Sequence, residues 1–191
     1  MKKGNEVMKK RCQWANKNVL NEQYHDNEWA KPIYDDKLLF EMLILEINQA
    51  GLSWDIIVKK RANFRDAFDN WDYHKIALYD EKKKEELILN KGIVRNRLKI
   101  NAAVNNAKAF IKIQENYESF SNFIWSFTKN KIINNSIEDE EITPSFSELS
   151  IKIGLELKQK GFSFLGKTTV YSFLQAIGIV NDHYNYCSFK N

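Results

Sequence analysis

Two cysteines and two histidines, one pair near each end of the chain, constrain its fold more than any other feature. The sequence of 191 residues has only two cysteines and three histidines. Nearly all of these soft metal ligands therefore belong to one set: Cys12, His25, His183 and Cys187. Two thiolates and two imidazoles complete a tetrahedral zinc site and leave no open position for a reacting water. The pattern predicts one structural zinc ion per chain, joining the two terminal segments.

The pattern alone leaves two alternatives to a zinc site. The spacing matches no zinc-finger ribbon, so the thiols could be unrelated core residues. A disulfide between Cys12 and Cys187 is the second alternative, but the first ten residues are charged and polar and lack the apolar core of a secretory signal. We expect a cytoplasmic bacterial protein that works at the nucleoid and has no membrane partner.

Length and composition predict one helical domain. Residues 1–10 are expected to form an N-terminal tail, with disorder as an open alternative, and 11–191 a single domain. Hydrophobic residues make up 43% of the chain, and only two prolines and seven glycines argue against a many-turned β protein. The net charge of +4 is a weak indication of a polyanionic partner. We expect a monomer.

Helical periodicity dominates the sequence, and no alternating strand pattern stands out. The fold class predicted is all-α. The polar segment 129–143 is expected to be a loop. Helices are expected at 36–50, 56–68, 81–89, from about 96 onward, and at 119–127, 145–160 and 168–177.

Glu46 is anomalous within the first long helix. At about 100° per residue, Lys37, Glu41 and Asn48 form a polar stripe, whereas Glu46 falls among apolar side chains. A carboxylate directed at a core is costly unless it is paired or serves a site. The sequence leaves two roles open for Glu46: an internal ion pair with an arginine, or the binding of a ligand.

The helix that contains Glu46 is preceded and followed by segments in which aromatic residues alternate with polar ones. Gly51 predicts a turn at its end that projects Leu52 and Trp54, and 24–29 read Tyr-His-Asp-Asn-Glu-Trp. Aromatic walls beside a buried carboxylate would suit a flat, cationic, hydrogen-bonding ligand such as a nucleobase. Core packing is the better interpretation of any single one of these aromatics, so the hypothesis depends on the whole set.

A third feature is the basic segment 90–99, expected to be a hairpin between two helices. Its turn at Gly92 and the start of the next helix would present backbone amides that attract phosphate. The alternative is an ordinary turn with a solvated basic face. Charges that would favour a DNA surface come from Lys91, Arg95, Arg97 and Lys99, with Lys59, Lys60 and Arg61 as a flanking group.

With these residues identified, the chain resembles the 3-methyladenine DNA glycosylase I family from Arg11 to Cys187. Several long motifs occur in the family's order, which makes the resemblance specific. They are Tyr-His-Asp-x-Glu-Trp at 24–29, Gln-Ala-Gly-Leu-Ser-Trp at 49–54, Gly-Ile-x-Arg-x-Arg-x-Lys-Ile at 92–100, Phe-x-Trp-Ser-Phe at 123–127 and Gln-Ala-x-Gly-x-Val-Asn-Asp-His at 175–183.

The resemblance implies a helix-hairpin-helix glycosylase fold, with the hairpin near 85–105, and the structural zinc proposed above. It implies base excision from double-stranded DNA containing alkylated adenine, with free 3-methyladenine as product. The base pocket would involve Glu46 and Tyr24 in recognition and catalysis, Trp54 in stacking, and Trp14 at its edge. Leu52, beside Gly51, would fill the gap left by the flipped nucleotide.

The chain departs from the family at positions that bear on pocket size and affinity. Asn21 stands where relatives place a further pocket aromatic, and Ile47 where a smaller or different residue is usual. Asp26 and Glu28 are expected to orient His25. A rival from another class is a non-catalytic, zinc-stapled module that binds damaged DNA. A zinc hydrolase is disfavoured, because four protein ligands leave no place for a metal-bound water.

Overall fold

The helices surround one buried helix in the computed structural model, which describes residues 9–138 and 142–190. The predicted tail, 1–10, lies outside the described residues except for Lys9 and Lys10. No helix in these ranges has the length and apolarity of a membrane span. The elements described are α1 (Val19–Asn27), α2 (Asp36–Gln49), α3 (Trp54–Ala67), α4 (Tyr73–Ile76), α5 (Glu81–Leu89), α6 (Arg97–Tyr117), α7 (Phe120–Ser126), β1 (Ile133–Asn134), α8 (Glu148–Gln159), α9 (Lys167–Ala176) and β2 (Val180–Asn181), with 3-10 turns at Gln13–Lys17 and Asp69–Trp71.

Most of the described helices begin where the sequence provides a capping side chain, whereas α3 and α9 have none. Asp35 accepts a hydrogen bond from the backbone N–H of Leu38 at 2.9 Å, and Asn96 accepts one from that of Lys99 at 3.1 Å. The predominantly helical class is confirmed, as are the expected longer helices within a few residues at their ends. Helix α1 was not predicted, because its sequence is polar on average and it is held by contacts with other elements.

Helix α2 is the centre of the molecule, packed against α3, α6, α7 and α9. Every residue from Leu39 to Asn48 is buried. The predicted polar stripe is therefore wrong, since Glu41 and Asn48 also face protein. Glu41 is compensated by arginines: its Oε1 accepts from Arg61 Nε at 2.7 Å and from Arg65 Nη2 at 3.1 Å. Burying a polar group in such a helix is costly, and partners offset that cost for Glu41.

Two short parallel strands correct the expectation that 129–143 would be only a loop. Ile133 pairs with Val180 and Asn134 with Asn181. Part of the expected loop, 139–141, lies outside the described residues. A strand of two residues is too short to be predicted from an alternating sequence pattern. The pairing fixes the chain just before His183.

Candidate active site and metal cluster

The four soft ligands predicted to share a site do lie together. Cys12, His25, His183 and Cys187 are all buried, and one ligand atom from each lies within 4.8 Å of the others. The Cys187 Sγ is 3.4 Å from His183 Nδ1 and 3.5 Å from His25 Nε2. Both thiols are free, so the disulfide alternative is not realised. The cluster is a site that could hold one metal ion.

The outer nitrogens of both imidazoles are engaged, which directs the inner ones toward the sulfur atoms. His25 Nδ1 lies 2.8 Å from Asp26 Oδ1, and Arg11 Nη2 lies 2.8 Å from the same carboxylate. His183 makes a hydrogen bond with the backbone of Trp29. Such outer contacts fix the orientation of metal-binding imidazoles. Asp26 thus orients His25 as expected, whereas Glu28 does not.

Glu28 is committed to a different partner. Arg61 Nη1 donates to Glu28 Oε2 at 2.7 Å, and the same guanidinium bonds Glu41. The ion pairs connect the end of α1 with α2 and α3. Lys60 and Arg61, expected to flank a DNA surface, are therefore used inside the protein: Lys60 Nζ donates to the carbonyl of Lys91 at 2.9 Å.

Burial favours the uncharged forms of Cys12 and of the two histidines. Desolvation raises the pKa of Cys12 to about 12, with the neighbouring Cys187 adding to the effect. Desolvation, reinforced by His25, lowers the pKa of His183 to about 4. A bound divalent cation would be neutralised by thiolates, so its binding would displace the thiol protons.

Beside this cluster lies a cavity of about 740 Å³ formed by the first 3-10 turn, α1, α2, α3, α9 and the C-terminal segment. It contains all four residues proposed for the base pocket, namely Trp14, Tyr24, Glu46 and Trp54. The rings of Tyr24 and Trp54 are 4.7 Å apart, tilted by 41°. The volume and the aromatic lining suit a small flat ligand. Its other lining residues include Asn18, Asn21, Gln49, Ser53, Asp55, Lys59, Ser172, Gln175 and Asp182.

Glu46 has no arginine partner among the described residues. It is 5% exposed, and its Oε2 has no hydrogen-bond partner in the described part of the protein. Desolvation raises the pKa of Glu46 to about 8. The arginines that could have accounted for a core glutamate belong to Glu41 instead. Of the two roles that the sequence left open for Glu46, the internal ion pair is therefore wrong.

Unpaired polar atoms concentrate in the same cavity. Among the described residues, five buried side-chain atoms lack a hydrogen-bond partner, and four belong to cavity residues. Burial, and then the Glu46 charge, raises the pKa of Tyr24 well above its usual value, so its hydroxyl stays protonated. Native proteins leave few buried polar groups unsatisfied, and such groups mark places that a ligand completes. The four unpaired atoms of cavity residues are Asn21 Oδ1, Tyr24 Oη, Glu46 Oε2 and Trp54 Nε1.

A second buried carboxylate lines the cavity, and sequence reasoning did not single it out. Asp182 Oδ2 accepts from Tyr171 Oη and from Gln175 Nε2, each at 2.7 Å. Its Oδ1 accepts from Asn135 Nδ2 at 2.7 Å. The position of Asp182, directly before the predicted metal ligand His183, was the one signal in the sequence that could have identified it as a site residue. Because three donors surround it, Asp182 shapes the cavity wall between α9 and β1.

The turn after α2 places its apolar residue outward, as predicted. Gly51 has φ of +78°, a conformation that disfavours other residues, and lets the chain reverse. Leu52 is 38% exposed. A smaller cavity of about 210 Å³ lies beside it and shares Glu46 with the main one. Leu52 thus stands next to the candidate base pocket.

The basic hairpin forms as a tight turn, 90–96, between α5 and α6. A Cβ at Gly92 would lie 3.0 Å from Asn90 Oδ1 and 3.1 Å from the Cβ of Asn63 on α3, so these side chains would have to shift by a few tenths of an ångström. Arg95 is exposed and makes no ion pair with any residue described. Arg97 is also exposed, and its Nη1 lies 2.5 Å from Glu85 Oε1.

Lys99, predicted to contact DNA, points inward. It is 5% exposed, and its Nζ donates to the carbonyls of Asn48 at 2.8 Å and Ala50 at 2.6 Å. Desolvation lowers its pKa. These carbonyls end α2, where a cation satisfies groups that the helix leaves unpaired. The placement argues against direct phosphate contact and gives Lys99 a role in holding the turn that carries Leu52.

The fold and the cavity define a helical protein with an aromatic pocket, a buried carboxyl in it that has no partner in the described chain, and behind it a cluster of four residues that could hold a metal ion. A family model described as methyladenine glycosylase matches residues 14–191. The chain belongs to the methyladenine glycosylase family.

Named relatives are similar over almost their whole length. A DNA-3-methyladenine glycosylase of Haemophilus influenzae is 42% identical over 183 residues, covering 96% of this chain and 99% of the relative. DNA-3-methyladenine glycosylase 1 of Escherichia coli is 42% identical over 91% of this chain and 92% of its own. A crystal structure of 3-methyladenine DNA glycosylase I superposes with a TM-score of 0.92 at 41% identity, covering 95% of this chain and all of the other.

A further solved relative concerns base recognition directly. The Staphylococcus aureus 3-methyladenine DNA glycosylase I, solved to explain how it recognises 3-methyladenine, superposes with a TM-score of 0.91. It is 36% identical, with coverage of 95% of this chain and 96% of that one. Another related structure contains 3-methyladenine itself.

Proposed function

We propose that this chain is a DNA glycosylase of base-excision repair that hydrolyses the N-glycosidic bond of 3-methyladenine in alkylated double-stranded DNA. The products are free 3-methyladenine and an abasic site. The observation that carries the proposal is Glu46, a buried carboxyl with no partner in the described chain, in an aromatic cavity. Family membership and relatives named for this activity support the same conclusion.

The substrate's own chemistry explains why few catalytic groups are needed. Methylation at N3 makes the adenine cationic, so the base is already a good leaving group. Water attacks the sugar carbon and gives up a proton to the solvent, while the bond to the base nitrogen breaks and its electron pair leaves with the base and neutralises it. The protein has to extrude the nucleotide, bind the cationic base and hold the reacting atoms in place.

Glu46 suits the recognition step, since a carboxylate binds a cationic base by a charge-assisted hydrogen bond. Tyr24 supplies a neutral hydroxyl, and Trp54 an aromatic face for stacking. Trp14 packs edge to face on Trp29, with ring centroids 5.0 Å apart, and closes the cavity on the side of the metal cluster. We assign Glu46 and Tyr24 to base recognition and catalysis.

DNA binding is assigned to two surfaces. Helices α5 and α6 with the turn at Gly92 form the helix-hairpin-helix element, whose backbone amides, with Arg95 and Arg97, would hold phosphates. Leu52, projected by Gly51, would fill the space of the flipped nucleotide. Phosphate contact by Lys99 is not retained, because its ammonium is occupied by two carbonyls. We expect a monomer to be sufficient.

The four-residue cluster is proposed to hold one structural Zn²⁺. The donor set fits: two thiols and two imidazoles, buried, with the outer imidazole nitrogens held. Zinc there would supply cross-linking only, because all four positions are taken. The segment between Cys12 and His25 carries five cavity residues: Trp14, Lys17, Asn18, Asn21 and Tyr24. Holding both ends of this segment would fix one wall of the pocket.

The test is to incubate the protein with methylated duplex DNA and chromatograph the bases released. Released 3-methyladenine, absent when unmethylated DNA is used, supports the proposal. Tight binding to the methylated duplex without release would instead favour a non-catalytic module that recognises damage. Loss of release in Glu46→Gln distinguishes this active site from a contaminating glycosylase.

A further inference from the structure

The side chain of Asn21 is buried without a hydrogen-bond partner among the described residues. It lies on α1, three residues before Tyr24, so both occupy one helix face and both line the cavity. Asn21 is only 2% exposed, and its Oδ1 accepts no hydrogen bond from the described part of the chain. A buried amide left this way costs free energy that a ligand can recover.

Neighbouring groups that could have used the amide are already engaged. The backbone N–H of Asn21 donates to Asn18 Oδ1 at 3.1 Å, which caps α1 without the Asn21 side chain. Asp55, also in the cavity wall, is bonded by Asn18 Nδ2 and by Lys59 Nζ. The free acceptor of Asn21 therefore remains available to whatever occupies the cavity.

We infer that Asn21 reads the amine edge of the bound base and favours adenine over guanine; this rests on the proposed function. An amide presents an acceptor and a donor side by side, in either of its two orientations. Adenine offers the matching pair, an amine donor beside a ring-nitrogen acceptor, and asparagine is suited to read it. Guanine has an acceptor oxygen in place of that amine.

The walls of the cavity strengthen this selection. Glu46 adds a second acceptor, which also prefers an amine to a carbonyl oxygen. Tyr24 and Trp54 supply faces that any purine could stack on, so they discriminate little between the two bases. Asn21 and Glu46 are thus the groups that distinguish the bases, with Asn21 contributing through a neutral hydrogen bond.

The experiment compares release of 3-methyladenine and 3-methylguanine from the same methylated DNA. Asn21→Leu removes the amide at similar size, and Asn21→Ala serves as a second variant should leucine prevent folding. Asn116→Leu makes the same change on the exposed end of α6. In both Asn21 variants the adenine-to-guanine release ratio should fall about two- to ten-fold, as expected for one neutral hydrogen bond. The ratio should stay unchanged in Asn116→Leu.

Two results would overturn the assignment. The ratio could stay at the wild-type value in both Asn21 variants, even if release of both bases falls equally, which would mean that Asn21 only shapes the cavity. A fall of the ratio in Asn116→Leu as well would trace the effect to general destabilisation. If the wild-type protein releases neither base, the proposed function fails, and the inference with it.

Discussion

At the scale of single residues, two glutamates on one helix show how context decides the use of a charge. Glu41 and Glu46 are both buried in α2. Glu41 binds two arginines, whereas the described chain gives Glu46 Oε2 no partner and places it in the aromatic cavity. A buried charge is stabilised by its partners or retained for function. The same substitution by glutamine at Glu46 and at Glu41 therefore gives a test variant and its matched control.

Glu46→Gln should fold yet release 3-methyladenine more slowly. Glutamine keeps the shape and one acceptor but removes the charge that would bind a cationic base. One charge-assisted hydrogen bond is worth roughly 1.5–3 kcal/mol, which corresponds to a loss of about ten-fold to more than a hundred-fold. The measurement is single-turnover release from methylated DNA, together with binding of the free base.

Glu41→Gln is the control for that variant. It makes the same chemical change in the same helix but breaks the ion pairs with Arg61 and Arg65, so it should lower the melting temperature. Its rate per folded molecule should stay near that of the wild type. If the two phenotypes were exchanged, Glu46 would be the structural residue and the pocket assignment would be wrong.

The raised pKa of Glu46 also predicts how stability depends on pH. The folded state binds this proton up to about pH 8, while an unfolded glutamate releases it near pH 4.3. Between these values the folded state holds more protons, so the contribution of Glu46 to stability falls as pH rises. The loss is at most about 1.4 kcal/mol per pH unit.

Glu46→Gln removes this dependence. The free energy of unfolding of the variant should therefore rise relative to that of the wild type as pH increases from about 5 to 8. Urea unfolding of both proteins at several pH values measures the difference, and the titration of the metal-cluster residues is common to both. A difference independent of pH would show that the folded and unfolded states bind this proton equally.

At the scale of elements, the packing of α2 against α6 gives Arg95 and Lys99 different roles, although the sequence predicted DNA contact for both. Arg95 is exposed on the turn, whereas Lys99 caps the end of α2. Charge alone did not distinguish them. Position three in the first turn of α6 directs Lys99 back toward the protein, and the packing of α2 beside α6 supplies its acceptors.

Arg95→Ala should weaken DNA binding uniformly across sequences and reduce the salt slope by about one. Lys99→Met, which keeps most of the side-chain volume, should leave the slope unchanged and lower the free energy of unfolding, since it removes hydrogen bonds from a charged donor. Binding titrations at several salt concentrations and urea unfolding measure both. A reduced slope in Lys99→Met would return Lys99 to the DNA surface.

At the scale of the whole molecule, the four residues that could hold a metal ion bring segments near both ends of the chain together beside the pocket. Cys12→Ser or Cys187→Ser should release zinc, lower the melting temperature and reduce affinity for 3-methyladenine, because the pocket wall lies between Cys12 and His25. Metal analysis, thermal unfolding and base titration check the three effects. Metal-free protein that kept its melting temperature and its turnover would refute a structural role.

The sequence by itself was sufficient to predict features that depend on neighbouring residues, such as helix positions. It was also sufficient where a residue type is so rare that few combinations are possible, as for cysteine and histidine. Periodicity placed α5 at its observed ends and the start of α6 near Asn96. So few cysteines and histidines left one obvious ligand set, and the family motifs named the activity. These inferences need only short-range geometry or a small number of candidates.

Only the tertiary structure decided which buried charges are paired. The partners of Glu41, Lys99 and Asp182 come from distant segments, so periodicity could not find them. The same applies to Asn21, whose unused acceptor is visible only when every neighbour of the cavity is known. Pairing and desolvation depend on the atoms that surround a group in three dimensions, and a one-dimensional pattern does not contain that information.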